Sequence, residues 1–335
     1  MLITDSAALA DFCADLTGAP YIAVDTEFMR HRSYYARLCL VQVAHGEHAA
    51  AIDTLSPGLY LAPLLGLLDD PATTKVMHAA SQDLEVFLQR FERLPTPVFD
   101  TQIAAAACGL GAQTGYGTLV QDVLDITLDK GPQATDWGRR PLSPRQIDYA
   151  LADVTWLCKV YEDLLVRLDE TDKGPVVARS MIALVNEDRY RTQPEDAWKR
   201  IKMRRPTRRA LAVLREAAAW REQAAMDRDL PRGWVLKDES MIDLAIRCPA
   251  SRAELAEIRA MPPKLARSTD GGILLACVER ALALPPEQWP QPPPARRGRG
   301  SAPRVGGSEG AAESQGAAGG ADESESADES EGAAS

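Results

Sequence analysis

A change of pattern near residue 170 divides this chain more sharply than any other feature. Before it, short apolar runs rich in β-branched residues alternate with helical spacings. YIAVDTEF (21–28), LCLVQVAH (38–45), AAAIDT (49–54) and KVMHAA (75–80) have strand character. Residues 59–68 and 82–91 carry apolar side chains three and four apart, as one face of a helix requires. Asp100 is placed to cap a helix running to about Cys108. The stretch 143–168 is helical throughout. Its opening puts Pro144 at the first helical position and Gln146 at the third, in a capping box with Ser143. Strands that first pair and then interleave with helices predict an α/β domain with a mixed sheet flanked by helices, over residues 1–170.

From 171 to 290 the spacing is helical throughout, with Pro, Gly and Asp between the runs. This predicts a helical connector carrying a basic run over 171–206 and an all-α bundle over 207–285. The composition after Pro290 collapses to Gly, Ala, Ser, Pro, Glu and Asp, which cannot bury enough apolar surface to offset its ordering entropy. Residues 291–335 are therefore expected to form a disordered, acidic, low-complexity tail.

The net charge of −10 hides an asymmetry. Residues 1–170 hold 12 Lys/Arg against 23 Asp/Glu, residues 171–290 hold 22 against 17, and the tail holds 4 against 8. An acidic domain followed by a basic one suggests two tasks, and the overall charge does not exclude a nucleic-acid partner. The six cysteines lie far apart without a C-x-x-C pair, so neither a zinc ribbon nor a disulfide scaffold is expected. No apolar run reaches the roughly 18–20 residues of a membrane span, and the N-terminal segment lacks a basic and apolar leader. A reduced, cytoplasmic setting without a membrane partner is the expectation.

Asp25 and Glu27 stand in V-D-T-E-F on a predicted strand. Residues two apart on a strand share a face, so the two carboxylates project together and repel unless a cation or proton stands between them. Taken alone, the pair also fits two solvated carboxylates at a strand end. Asp83 follows a strand and opens a helix, where an acid is favoured by the helix dipole as well as by metal binding. Tyr149 and Asp153 lie four apart on the long helix and share one face; a core tyrosine beside a surface aspartate is the plainer alternative. His45 and His48 lack further Cys or His ligands nearby for zinc, and His78 reads as a core residue or one behind the site.

D-x-E on a strand, an aspartate after a strand, and Y-x-x-x-D on a helix, in that order, resemble the DEDD exonucleases. The surrounding text, V-D-T-E-F-M-R-H-R-S-Y-Y-A-R-L-C-L-V-Q, K-V-M-H-A-A-S-Q-D-L-E-V-F, T-L-D-K-G-P-Q-A-T-D-W-G-R-R-P-L and Q-I-D-Y-A-L-A-D-V, resembles the ribonuclease D family. R-R-A-L-A-V-L-R-E-A-A-A-W-R-E-Q-A-A-M-D-R-D-L-P-R-G-W resembles the HRDC helical domain that this family shares with RecQ-type helicases. The resemblance covers about residues 1–290. It implies a ribonuclease H-like 3′→5′ exonuclease domain followed by one HRDC domain, and an exoribonuclease that releases nucleoside 5′-monophosphates, with precursor tRNA 3′ ends as substrate. It further implies two divalent ions, Mg²⁺ with Mn²⁺ able to substitute, held by Asp25, Glu27, Asp83 and Asp153. Tyr149 would orient the attacking water, since position 148 is Asp and the histidine-bearing branch of the family does not fit.

For RNA contact the candidates are Tyr34, Tyr35 and Arg37, Lys130 in the loop with Asp136, Trp137 and Arg140, and Arg204, Arg205 and Arg208 in the basic run; each competes with a plain surface reading. No obligate protein partner is evident. Longer relatives carry a second HRDC domain, which the acidic tail is too short and polar to be. A DNA 3′→5′ exonuclease and a non-catalytic RNA-binding module are the competing readings.

Overall fold

The computed structural model describes residues 1–129, 131 and 135–292, and Met1–Pro292 form one compact unit. The strands are β1 (Leu2–Ile3), β2 (Tyr21–Met29), β3 (Arg37–His45), β4 (His48–Ile52), β5 (Thr74–Met77) and β6 (Val98–Asp100). They form one sheet in the order β1-β4-β3-β2-β5-β6. The β2–β3 and β3–β4 pairs are antiparallel, while β1–β4, β2–β5 and β5–β6 are parallel. The mixed sheet expected from the spacing is present, with β1 and β6 as short edge strands. Around it lie α1 (Ser6–Asp15), α2 (Ala62–Asp69), α3 (Ser81–Phe91), α4 (Thr101–Ala107), α5 (Tyr116–Leu124), α6 (Pro144–Thr171) and α7 (Gly174–Leu184).

The two faces of the sheet are packed differently, and this decides where the carboxylates point. Ile22, Val24, Val41 and Val43 join Leu9, Phe12, Leu64, Leu84 and Phe87 of α1–α3 in one core. The alternate residues, Ala23, Leu40, Ala44 and Ala51, face α6 and pack on Ala150, Val154, Leu157 and Cys158. Three alanines on this face let the long helix approach closely. Asp25 and Glu27 share the face of Ala23, so they point toward α6.

The capping box at α6 is formed: Ser143 Oγ accepts from Gln146 N, and Gln146 Oε1 accepts from Ser143 N. Asp100 caps α4 as expected, accepting from Gln102 N and Ile103 N. The strand expected over 75–80 ends at Met77 instead. Ala79 turns to a φ of +52°, and the Ala79 and Ala80 amides donate to the Asp100 carboxylate rather than to a neighbouring strand.

Lys75 of β5 is fully buried, and its Nζ donates to the carbonyls of Asp70, Thr73 and Thr96 at 2.7–2.8 Å. Burial pushes its ammonium down to about 8, with Asp70 and Asp69 acting the other way. Lys75→Met should lower folding stability by about 3 kcal/mol, since three carbonyls lose a charged donor. Denaturant melts check this; a loss under about 1 kcal/mol would mean that water replaces the ammonium there.

The helical half comprises α8 (Arg208–Asp227), α9 (Arg232–Val235), α10 (Asp238–Arg247), α11 (Arg252–Ala256), α12 (Pro263–Arg267) and α13 (Thr269–Ala283). Its core joins Leu211, Leu214, Met241, Leu244, Leu274 and Cys277 and extends back to Ala197 and Ile201. By contrast, Leu184 of α7 belongs to the sheet core, and Val177 and Met181 pack with Ala104, Leu119, Val160 and Leu164. The segment expected as a connector over 171–206 thus serves both neighbouring cores, α7 with the first half and residues from Ala197 with the second. The tail from residue 293 lies outside the described residues.

Candidate active site

Three elements converge on one cavity of about 160 Å³, lined by Asp25, His78, Tyr116, Tyr149, Asp153 and Leu157. Strand β2 supplies Asp25 and Glu27. Its pairing with β3 becomes irregular between Glu27 and Phe28, where a bulge sharpens the local twist. Helix α6 supplies Tyr149 and Asp153 from consecutive turns. Asp25, Glu27 and Asp153 each offer an oxygen, and these oxygens lie within 4.8 Å of one another. Asp83, in the first turn of α3, stands beside this triad and accepts a hydrogen bond from the Thr26 hydroxyl. A second recess of about 200 Å³ shares Tyr116, Tyr149 and Asp153.

The electrostatics of this arrangement are those of packed like charges. Burial raises Asp25, Asp83 and Asp153 above the usual carboxylate range; Asp153 raises Asp25 further, and Asp25 raises Asp83. Glu27 is pushed up to about 9 by burial and then by Asp25, Asp153 and Asp83. The groups acting most strongly on the four include no lysine or arginine. A set of hard oxygen donors without an internal counter-charge fits a divalent cation, which would reverse these shifts. Burial also carries the Tyr149 phenol well above its ordinary value, reinforced by Asp153 and Glu27, so it stays protonated at neutral pH.

A pH dependence follows. A carboxyl whose folded pKa is raised contributes stability that is full below its unfolded pKa and is lost as pH rises through its folded pKa. Without metal, Glu27 should therefore make the wild type lose stability between about pH 4 and 9, relative to a Glu27→Gln variant. Mg²⁺ requires ionised carboxylates, so its stabilising effect should grow over the same range. Thermal melts of both proteins at pH 5.5, 7 and 9, with EDTA or Mg²⁺, measure this; a Mg²⁺ effect independent of pH would contradict it.

A model of the 3'-5' exonuclease family matches residues 1–169, and a model of the HRDC domain matches residues 210–278. Ribonuclease D of Sphingobium indicum is 45% identical over 300 residues, covering 89% of this chain and 77% of that protein. Ribonuclease D of Zymomonas mobilis is 46% identical over 293 residues, covering 87% and 75%. The chain belongs to the ribonuclease D family. It is a hydrolase of the exoribonuclease class. The crystal structure of Escherichia coli RNase D, described as an exoribonuclease involved in structured RNA processing, superposes with a TM-score of 0.77 at 40% identity, covering 87% of this chain and 77% of that one. The catalytic core of RRP6 from Trypanosoma brucei, 24% identical with a TM-score of 0.64 over 84% of this chain and 80% of that one, shares the fold. The ribonuclease H-like sheet and the HRDC bundle are thus those of the ribonuclease D fold.

The residues singled out for RNA contact fare differently. Tyr34 is engaged inside the protein, with its hydroxyl donating to Glu222 Oε1 at 2.6 Å and its ring under the Arg232 guanidinium at 4.6 Å. Arg208 Nη2 caps the carbonyls of Pro286, Glu287 and Trp289. The Tyr34 hydroxyl and Arg208 Nη2 thus have partners within the protein, while Arg208 Nε is buried without one. Tyr35 and Arg37, with Met29, His31, Arg139 and Asp229, line a groove of about 650 Å³ where the two halves meet. Arg37 and Arg139 are exposed, and among the described residues their guanidinium groups have no ion-pair or hydrogen-bond partner. Arg204 and Arg205 are also exposed. Lys130 lies outside the described residues. Arg140 holds its loop down, pairing with both Asp53 oxygens at 2.7 Å and with the Cys39 carbonyl. Trp137 is buried beside Tyr149, with ring centroids 6.2 Å apart. His45 and His48 face each other across the β3–β4 hairpin, and His45 packs on Tyr21.

Sequence reasoning passed over Tyr116 and Thr26. Tyr116 opens α5, lines the cavity, and donates its hydroxyl to the Asp153 carbonyl. Gly115 just before it was the available signal, as a helix N-cap.

Proposed function

We propose that this enzyme trims RNA from its 3′ end, with structured RNA such as precursor tRNA as substrate and two divalent cations in the site. The observation that carries the reading is the clustering of the Asp25, Glu27 and Asp153 oxygens, with Asp83 bonded to Thr26 between the first two, at a cavity that Asp25, Asp153 and the protonated Tyr149 line. Asp25, Glu27, Asp83 and Asp153 would hold the cations. When bound, these supply a water ionised near neutral pH and charge stabilisation for the phosphate. Tyr149 stays protonated and holds the attacking water by hydrogen bond rather than taking its proton. Tyr116 fixes the α6 backbone at Asp153, keeping that carboxylate at its station. RNA upstream of the 3′ end would run through the groove between the halves, where Arg37 and Arg139 meet phosphates and Tyr35 offers a stacking face.

The decisive experiment incubates the protein with a 3′-extended tRNA and a matched single-stranded DNA, each with Mg²⁺, Mn²⁺ or EDTA. Stepwise release of nucleoside 5′-monophosphates from the RNA, absent with EDTA, is the expected result. Faster release from DNA would transfer the enzyme to DNA processing, and Mg²⁺-independent release would remove the cation assignment. Tyr149→Phe should lower kcat with RNA affinity nearly unchanged, which separates water positioning from substrate contact.

A further inference from the structure

Eight buried side-chain nitrogens and oxygens among the described residues lack a hydrogen-bond partner. Four of them belong to three residues around the site: both amide atoms of Gln42, Nε2 of His78 and Nε1 of Trp137. His78 lines the cavity and Trp137 packs beside Tyr149. Gln42 is the most anomalous, being fully buried with neither end of its amide paired. Folded proteins pair nearly all buried polar groups, so an orphan of this kind marks a place where a partner comes from outside the chain or from a rearranged neighbour.

The register says which neighbour. Gln42 of β3 stands directly across from Asp25 in the antiparallel β2–β3 pair. Directly opposed residues project from the same face, with Cβ atoms about 4.5–5.5 Å apart. That face is the one covered by α6, because Leu40 and Ala44, two residues to either side of Gln42, pack on Ala150 and on Val154 and Leu157. The Gln42 and Asp25 side chains therefore start about 4.5–5.5 Å apart on one face, so rotation of the glutamine can bring its amide to the Asp25 carboxylate. A carboxylate accepts hydrogen bonds only, and the amide nitrogen is a donor without an acceptor.

We propose that Gln42 is a positioning residue for Asp25: its Nε2–H donates to the Asp25 carboxylate, directly or through one water, and orients the oxygen that faces the cation. The inference rests on Asp25 being a cation ligand, as proposed above. A purely structural residue at this fully buried position would be better served by an apolar side chain of the same length.

The test compares wild type, Gln42→Met and Gln42→Glu. Methionine keeps the length and removes both polar ends; glutamate keeps the shape and loses the donor. Two readouts are taken: the Mg²⁺ concentration giving half of the thermal stabilisation, which needs no RNA, and steady-state kinetics on a short RNA. Expected for Gln42→Met are a metal-free Tm at or above wild type, a Mg²⁺ midpoint raised about 10-fold, and kcat lowered about 10- to 100-fold with KM changed less than about threefold, the range for residues behind metal ligands. Gln42→Glu should show the same loss of kcat, and it decides the matter if the methionine variant does not fold. A Mg²⁺ midpoint and kcat within about twofold of wild type would overturn the proposal. Wild-type protein that binds Mg²⁺ but hydrolyses no RNA would instead count against the exoribonuclease reading, so the two failures are told apart.

Discussion

Asp25→Asn should abolish nucleotide release while making the metal-free protein more stable. Asp25 is the central member of the cluster: its oxygen lies within 4.8 Å of those of Glu27 and Asp153, and its charge also acts on Asp83. Neutralising it removes a carboxylate from the proposed cation site, so kcat should fall by about 1,000-fold or more, the several kcal/mol that metal stabilisation contributes to such a transition state. The same change relieves repulsion on Glu27 and Asp83, so the metal-free Tm at pH 8 should rise. Mg²⁺ should raise the Tm of wild type and leave that of the variant nearly unchanged. Release within 10-fold of wild type, or an undiminished Mg²⁺ effect, would show that Asp25 is not a cation ligand.

The candidate carboxylates stood out in the sequence as a set, through the order of D-x-E, Asp83 and Y-x-x-x-D and its resemblance to the DEDD exonucleases. Asp25 and Glu27 stand on a strand face whose neighbours, Gln42 apart, are largely apolar, and such a conflict with local rules marks function. The long helix was equally legible, since Ser143, Pro144 and Gln146 state its start and its spacing aligns Tyr149 with Asp153. Asp83 alone fits a helix-start acid as well as a metal ligand, and its place in the set came from the resemblance. The less legible features depend on contacts distant in the chain. Nothing local to K-V-M-H-A-A announces that Asp100 takes the Ala79 and Ala80 amides and ends β5 early. Gln42 reads as one more residue of a buried strand until the register sets it opposite Asp25. Tyr34 beside Tyr35 looks like a stacking pair for bases, yet its hydroxyl and ring are taken by residues nearly 200 positions away. Charge counting had the same limit: basic residues of the second half include Arg232 and Arg200, which pair with the buried Glu222.

That acid carries the second large effect. Glu222 is 1% exposed and accepts from Arg232 Nε and Nη2 at 2.6 Å and from the Tyr34 hydroxyl at 2.6 Å, with Arg200 at 3.4 Å. Burial alone would raise its carboxyl; Arg232, Tyr34 and Arg200 outweigh this and hold it below the usual range. Glu222→Ala leaves a guanidinium and a phenol without their acceptor. Breaking a buried pair costs about 3–5 kcal/mol, discounted here because Arg232 is 39% exposed, so a loss of about 3 kcal/mol is expected. The Tyr34 part of that loss belongs to the contact between the halves. A double-mutant cycle with Tyr34→Phe should return a coupling of about 1 kcal/mol. The loop 30–36 then loses its tie to Glu222 and keeps the Asp229 carboxylate, which accepts from the Tyr34 and Tyr35 amides at 3.0 Å each, together with the Arg30–Glu85 pair and the Arg232 contact with Tyr34. Tyr35 and Arg37 form one wall of the groove, so a loosened loop should raise KM for long RNA several-fold and leave kcat on short oligomers nearly unchanged. Denaturant melts and kinetics on two RNA lengths read both consequences. If Glu222→Ala lowers stability but spares long and short RNA alike, the contact between the halves holds the fold together without shaping the path of the RNA.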